Sequence, residues 1–281
     1  MTGTDHPQEF TGKAALVTGG ASGIGLAVAR RLAAGGAAVA VADFDLEGAR
    51  KAAAELEAAG ARALAIGTDV TDPESVRAAV QATVDGLGAL HLAVNNAGIS
   101  GAKAPTGAYE PEQWRRVLAT NLDGVFYSLR YEIPAILAAG GGAVVNMASI
   151  LGTNGFAGSP AYAAAKHGVV GLTKTAALEY AAQGVRINAV GPGFIDTPLL
   201  SAADEEARQA LVALHPAGRL GRAEEVAELT AFLLSDRASF IHGSYHLGRR
   251  RLRGPLTGPP PARPGAGAAQ PGGPREGVRN P

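Results

Sequence analysis

The stretch Ala14-Ala15-Leu16-Val17-Thr18-Gly19-Gly20-Ala21-Ser22-Gly23-Ile24-Gly25 decides the fold. Four apolar residues without polar alternation suit a strand buried on both faces. The glycines that follow permit a sharp turn, and the Ala/Arg/Leu pattern running to Ala34 has helical spacing. A strand, a Gly-rich turn and a helix, in that order, put free N–H groups and a positive dipole end at the turn. That arrangement suits a pyrophosphate. The turn alone is weak evidence, so its neighbours matter. The next apolar run, Val39-Ala40-Val41-Ala42, ends at Asp43. A carboxylate there can accept both hydroxyls of an adenosine ribose and would repel a 2′-phosphate, which favours NAD over NADP.

The same rhythm continues along the chain. Helices are expected over residues 47–59 and 72–87, the second opening with the capping box Thr71-Asp72-Pro73-Glu74. Strands are expected over 62–67 and over 92–94, the latter running into Asn95-Asn96-Ala97-Gly98. A long helix is expected over 111–138, with Pro134 bending or breaking it. Strands at 143–147 and 185–190 flank a helix at 161–182. A loop with a short helix (191–216), a helix at 223–234 and a seventh strand from Ser244 complete the pattern. Alternating βα units of this length predict an α/β protein with a Rossmann-type doubly wound parallel sheet in a single domain, residues 1–247.

Composition narrows the function classes. The chain has 281 residues, 47% of them apolar, enough for one substantial core. Lys+Arg and Asp+Glu are equal at 25 each, so charge gives no pointer to nucleic acid or an acidic membrane. There is no cysteine, which excludes thiol catalysis and Cys-ligated metal. No signal peptide and no apolar run of membrane-spanning length is visible, so a cytoplasmic location is expected. After Leu247 the character changes: residues 248–281 carry 8 Pro, 8 Gly and 7 Arg against one acid, Glu276. Such a composition cannot bury a core and is expected to be disordered.

Tyr162 and Lys166 lie four apart in a helical stretch and so share a face. A free tyrosine titrates near ~10 and is a poor base at neutrality; an adjacent ammonium favours the phenolate. Ser149 falls at the C-terminal end of the fifth strand, the edge where open α/β sheets bind ligands. Asn121 is a polar break in an apolar helical face, and a buried amide there needs partners. The scattered histidines suggest no metal site.

Taken as a set, Thr18-Gly19-x-x-x-Gly23-Ile24-Gly25, Asn95-Asn96-Ala97-Gly98, Asn121, Ser149, Tyr162-x-x-x-Lys166 and Pro192-Gly193 resemble the short-chain dehydrogenase/reductase family, in order and spacing, over about residues 10–247. The resemblance implies hydride transfer between NAD(H) and a secondary alcohol or ketone. It implies Tyr162 as general acid/base, Ser149 holding the reacting oxygen and Lys166 holding the nicotinamide ribose. Asn121 would anchor a water in a proton relay. Ser22 joins Gly19, Gly23, Ile24 and Gly25 in the pyrophosphate turn. Asp69 and Val70 would contact adenine, and Asn95, Ala97 and Gly98 would line the adenosine ribose. Ile195 and Thr197, after Pro192 and Gly193, would clamp the carboxamide. The substrate side is expected to be lined by Ile150, Leu151, residues 153–156 and residues 194–214, which offer no cation cluster for an anion. A small neutral alcohol, cyclic or sugar-like, fits, and a homo-oligomer, tetramer or dimer, is expected by analogy.

Two rival functions remain open at this point. One is an NADPH-dependent 3-oxoacyl-thioester reductase, which Asp43 disfavours. The other is a dinucleotide-binding sensor or scaffold without turnover. The family usually finishes its last strand with an Asp-Gly-Gly type segment and an aromatic. Here Gly248-Arg249-Arg250-Arg251 stands instead, and a one-base shift of GC-rich codons near position 247 regenerates the expected type of ending. A basic arm for acidic partners is the other reading of those arginines.

Overall fold

The computed structural model describes residues 8–200 and 204–247. The expectations for residues 248–281 lie outside the described residues. Seven strands form one parallel sheet: β1 (Ala14–Thr18), β2 (Ala38–Asp43), β3 (Ala63–Gly67), β4 (Leu92–Asn95), β5 (Gly142–Met147), β6 (Val185–Gly191) and β7 (Tyr245–Leu247). The spatial order is β3-β2-β1-β4-β5-β6-β7, so the winding reverses between β1 and β4. A crevice opens at such a reversal, outside the carboxyl ends of the strands.

Both sheet faces are covered, which is why the strand sequences show little polar alternation. Ala15 and Val17 of β1 join one core with α1 (Gly23–Ala34), α2 (Leu46–Ala58) and α8 (Ala223–Leu234). Ala14 and Leu16 face the other core, with α3 (Pro73–Leu87), α5 (Gly124–Ala138) and α6 (Pro160–Tyr180). The α2 and α3 helices are capped by Asp45 and Asp72, whose carboxylates accept from Gly48 N and Glu74 N.

The expected helix over 111–138 is two helices. The first, α4, spans Pro111–Leu118; a π turn follows at Ala119–Asp123; then α5 begins. The interruption therefore sits at Asn121 and not at Pro134, which α5 carries in its interior. An internal proline costs about 3 kcal/mol. Burial of Val125, Leu129, Ile133 and Ile136 against the sheet offsets that cost.

Glu132 of α5 is fully buried inside this second layer. Its Oε2 accepts from Asn95 Nδ2 at 3.0 Å, and the same nitrogen donates to Asn146 Oδ1 at 2.9 Å. Glu132 Oε1 and Asn95 Oδ1 have no partner. Burial pushes the Glu132 carboxyl up to about 7, with the Asn95 bond pulling the other way. An unfolded glutamate titrates at 4.5, so the native chain binds this proton more tightly. Stability from this group is therefore full below the unfolded value and is lost as pH rises through about 7, by about 3 kcal/mol. Glu132→Gln keeps an acceptor for Asn95 Nδ2 and removes the titration. We expect it to raise the melting temperature at pH 8.5 and leave it unchanged at pH 5, read by circular dichroism; equal shifts at both pH values would contradict this.

Candidate active site

The Gly-rich turn lies between β1 and α1 at the reversal. Gly19 and Gly23 take φ of +61° and +53°, which side chains disfavour. Gly25 is required for space, because a Cβ there would overlap the carbonyl oxygen of Gly19. Ser22 holds the N-cap position of α1, but its hydroxyl makes no capping bond. Ile24 packs against the core from the first turn. The N-terminal N–H groups of α1 are thus presented at the turn. Asp43, at the end of β2, accepts from Ala21 N at 3.0 Å and from Asp45 N at 3.0 Å. Its carboxylate is fixed at the rim of the turn.

Asn96, visible in the sequence only as part of the motif Asn95-Asn96-Ala97-Gly98, has a role of its own. Its amide nitrogen Nδ2 donates to Thr18 O (3.2 Å) and Gly19 O (2.9 Å), and its backbone N–H donates to Thr18 Oγ1 at 3.1 Å. It braces the Gly-rich turn from β4. The signal available was a polar pair at a strand end. Asn95 points its side chain into the core network, so only its backbone borders the crevice. Asp69 spends Oδ1 on Thr71 N and Oγ1, and Val70 is buried against Gly124.

The catalytic candidates converge. Lys166, buried in α6, donates from Nζ to Met147 O at 2.8 Å. Its Nζ stands 5.6 Å from the centre of the Tyr162 ring, so the two groups share a helix face. Ser149 lies close enough to the Tyr162 phenol to favour its ionised form, and its Oγ accepts from Leu151 N at 3.2 Å. Asn121, wholly buried, accepts from Ile99 N and donates to Ile99 O, both at 2.8 Å. That pairing uses one lone pair and one N–H of its amide. A Cβ on Gly98 would fall 3.2 Å from Asn121 Oδ1 and 3.7 Å from Lys166 Nζ, so Gly98 forms the floor between them.

The protonation states differ from the expectation that the ammonium pulls the phenol down. Burial pushes the Tyr162 phenol above its usual value, and the Ser149 bond opposes it. Burial also lowers Lys166, to about 8. The ammonium stands over the ring face rather than beside the hydroxyl, and desolvation outweighs it. Tyr162 in the chain alone is a neutral acid at neutral pH, ready to donate a proton.

The exit from β6 closes the far side. Pro192 O accepts from Ile150 N at 2.9 Å. Ile195 pairs with Gly221, and Thr197 packs 3.4 Å from where a Cβ of Gly23 would stand. The clamp residues therefore reach the pyrophosphate turn. Phe194 N donates to His215 Nε2 at 3.1 Å, just beyond α7 (Glu205–Ala213), and Gly193 lies under that ring. Ile150, Leu151, Phe156, Phe194 and Leu214 pack with Tyr162 in one apolar cluster. Among the described residues no cluster of His, Cys, Asp or Glu could hold a metal ion. No helix among them is long and apolar enough to cross a membrane.

Comparison with known proteins agrees with this geometry. A family model described as Enoyl-(Acyl carrier protein) reductase matches residues 19–247. The chain is 54% identical over 239 residues to a cyclohexanol dehydrogenase of Acinetobacter sp. (strain SE19), covering 85% of this chain and 94% of that one. The crystal structure of levodione reductase superposes with a TM-score of 0.82 at 39% identity, covering 85% of this chain and 97% of that one. An NAD+-bound xylitol dehydrogenase superposes with a TM-score of 0.81 at 33% identity, covering 85% and 98%.

Proposed function

The chain belongs to the short-chain dehydrogenase/reductase family, and from that premise we propose that it interconverts a neutral cyclic secondary alcohol and its ketone with NAD(H). The observation that carries the reading is the Tyr162 ring, with Ser149 near its phenol, the buried Lys166 ammonium over its face and apolar side chains packed with it. When bound, the nicotinamide supplies the hydride acceptor or donor. In ketone reduction neutral Tyr162 donates its proton to the substrate oxygen, and Ser149 steadies the developing charge. In alcohol oxidation Tyr162 must first lose a proton, so that direction gains from alkaline pH. Lys166 and Gly98 form the seat of the nicotinamide ribose; Gly19, Ser22, Gly23, Ile24 and Gly25 take the pyrophosphate; Pro192, Gly193, Ile195 and Thr197 take the carboxamide side. Asp69 and Val70 border the adenine, and Asn95 and Ala97 offer backbone to the ribose. Asn121 would anchor a water in a proton relay that reaches Lys166.

The preference for NAD rests on Asp43. Its fixed carboxylate would meet a 2′-phosphate as like charge, which also weighs against an NADPH-dependent thioester reductase. Steady-state kinetics with cyclohexanol and each cofactor test this. We expect kcat/KM with NAD to exceed that with NADP about 100-fold, and Asp43→Ala to cut the ratio by at least tenfold. A ratio near one in the unaltered chain would overturn the NAD assignment. Absence of turnover across a panel of secondary alcohols with either cofactor would favour a binding protein.

The proposed setting is a cytoplasmic homo-oligomer acting on small molecules, with no nucleic-acid or membrane partner; its support is the family. For residues 248–281 we propose a shifted reading frame near codon 247, supported by the family match ending at that residue. Sequencing the gene through that codon decides it.

A further inference from the structure

Ser149 must hold its hydroxyl within reach of both Tyr162 and the substrate oxygen, so whatever fixes its backbone fixes the chemistry. Three backbone bonds hold its surroundings. Ala148 N donates to Val190 O at 2.8 Å, Ile150 N to Pro192 O at 2.9 Å, and Gly152 N to Ser149 O at 2.8 Å. A fourth bond comes from a side chain 96 positions away: the Tyr245 hydroxyl donates to the Ser149 carbonyl. Tyr245 opens β7 and pairs with Ala189.

The ring has a slot made for it. A Cβ on Gly191 would come within 2.5 Å of the Tyr245 hydroxyl and 2.6 Å of the ring, and one on Gly152 within 2.9 Å of the hydroxyl. Side chains at either position would expel the phenol. Two glycines on different elements, one in β6 and one ending the turn after Ser149, thus leave room for one hydroxyl at one carbonyl. A phenylalanine would fill the same slot without reaching Ser149 O, so packing alone does not account for the hydroxyl.

We propose that Tyr245 is a positioning residue: its hydroxyl holds the Ser149 peptide so that Oγ meets Tyr162 and the substrate oxygen together. This rests on the oxidoreductase reading above. It couples the seating of the last strand to the chemistry, since Tyr245 reaches the carbonyl only while β7 is paired with β6.

Tyr245→Phe keeps the ring and removes the bond. Two readouts are needed. The first does not depend on turnover. The sequence contains a single Ser-Ile junction, Ser149-Ile150. Serine carrying 13C at the carbonyl and isoleucine carrying 15N therefore give one carbonyl–amide NMR correlation. Loss of the hydrogen bond should move that carbonyl resonance upfield in Tyr245→Phe. The second is kinetic. We expect kcat to fall about tenfold, the worth of one hydrogen bond, with KM for NAD unchanged. The pH midpoint for alcohol oxidation should move up, because the Ser149 bond is what draws the Tyr162 phenol down. Tyr245→Leu, which empties the slot as well, should lower the melting temperature further than Tyr245→Phe, which loses only the bond. An unmoved carbonyl resonance in Tyr245→Phe overturns the proposal, with or without turnover. A moved resonance with unchanged kcat and pH profile overturns the catalytic part of it. A chain that oxidises no secondary alcohol refutes the oxidoreductase reading instead, and the resonance still decides the contact.

Discussion

Tyr162→Phe should abolish turnover while leaving cofactor binding intact. The substitution removes the group that exchanges a proton with the substrate oxygen and one of the two hydroxyls that stabilise charge on it. General acid/base catalysis is worth about 10²–10⁴-fold, and one donor to a developing oxyanion about 10²–10³-fold. The two overlap in one hydroxyl, so a fall in kcat of about 10³-fold or more is expected. The Gly-rich turn, Asp43 and Lys166 are untouched, and Lys166 keeps its bond to Met147 O. The dissociation constant for NAD should therefore stay within about threefold, a small free-energy change. Stopped-flow kinetics and fluorescence titration of the cofactor read the two quantities separately. Residual turnover within tenfold of the unaltered enzyme would remove Tyr162 from the mechanism.

The second large effect is on stability. Arg186 of β6 is buried and spends its guanidinium on the end of α8. Nη1 donates to Leu233 O (2.6 Å) and Ala238 O (3.2 Å); Nη2 donates to Leu234 O (3.0 Å) and Ser235 O (3.0 Å). Leu233 O and Leu234 O are carbonyls that the helix end leaves without intrahelical partners, whereas Ser235 O and Ala238 O also accept from Ala238 N and Ile241 N; the cation meets the negative end of the helix dipole as well. Arg186→Met would fill similar space and strand the Leu233 and Leu234 carbonyls. Hydrogen bonds to a charged group are worth about 1.5–3 kcal/mol each, and water can re-enter at this rim, so a loss of about 3–4 kcal/mol is expected. Urea unfolding followed by circular dichroism measures it. Arg186→Lys should recover part of the loss, because an ammonium reaches fewer of the carbonyls than the fork does. A loss below about 1 kcal/mol in Arg186→Met would mean that solvent satisfies α8 unaided.

How much of this was legible in the sequence follows from the range of the forces involved. The doubly wound sheet could be read because each strand is a local apolar run and each turn has local chemistry, as at Gly19 to Gly25. The pairing of Tyr162 with Lys166 was equally local, four residues on one helix. The π turn at Asn121 was not legible. Its apolar spacing continues through residues 111–138, and what breaks the helix is a distant pairing, Asn121 with the backbone of Ile99. Pro134 misled for the opposite reason: its local cost is real, but tertiary burial of α5 outweighs it. The network of Asn95, Glu132, Asn146 and Thr173 draws on β4, α5, β5 and α6. No local pattern announces it. The burial that raises the Tyr162 phenol in the chain alone was not legible, because the sequence displays its charged neighbour and hides its desolvation.

All seven strands run the same way, and the last of them is only three residues long, with Leu247 set beside Gly191. Whatever is joined after Leu247 is consequently tethered at the mouth of the crevice where the proposed function puts substrate. The start of β1 lies at the opposite rim. For immobilising the enzyme on a support, or fusing it to a reporter, attachment ahead of residue 8 leaves that mouth clear; a bulky fusion at the other terminus would act as a steric plug.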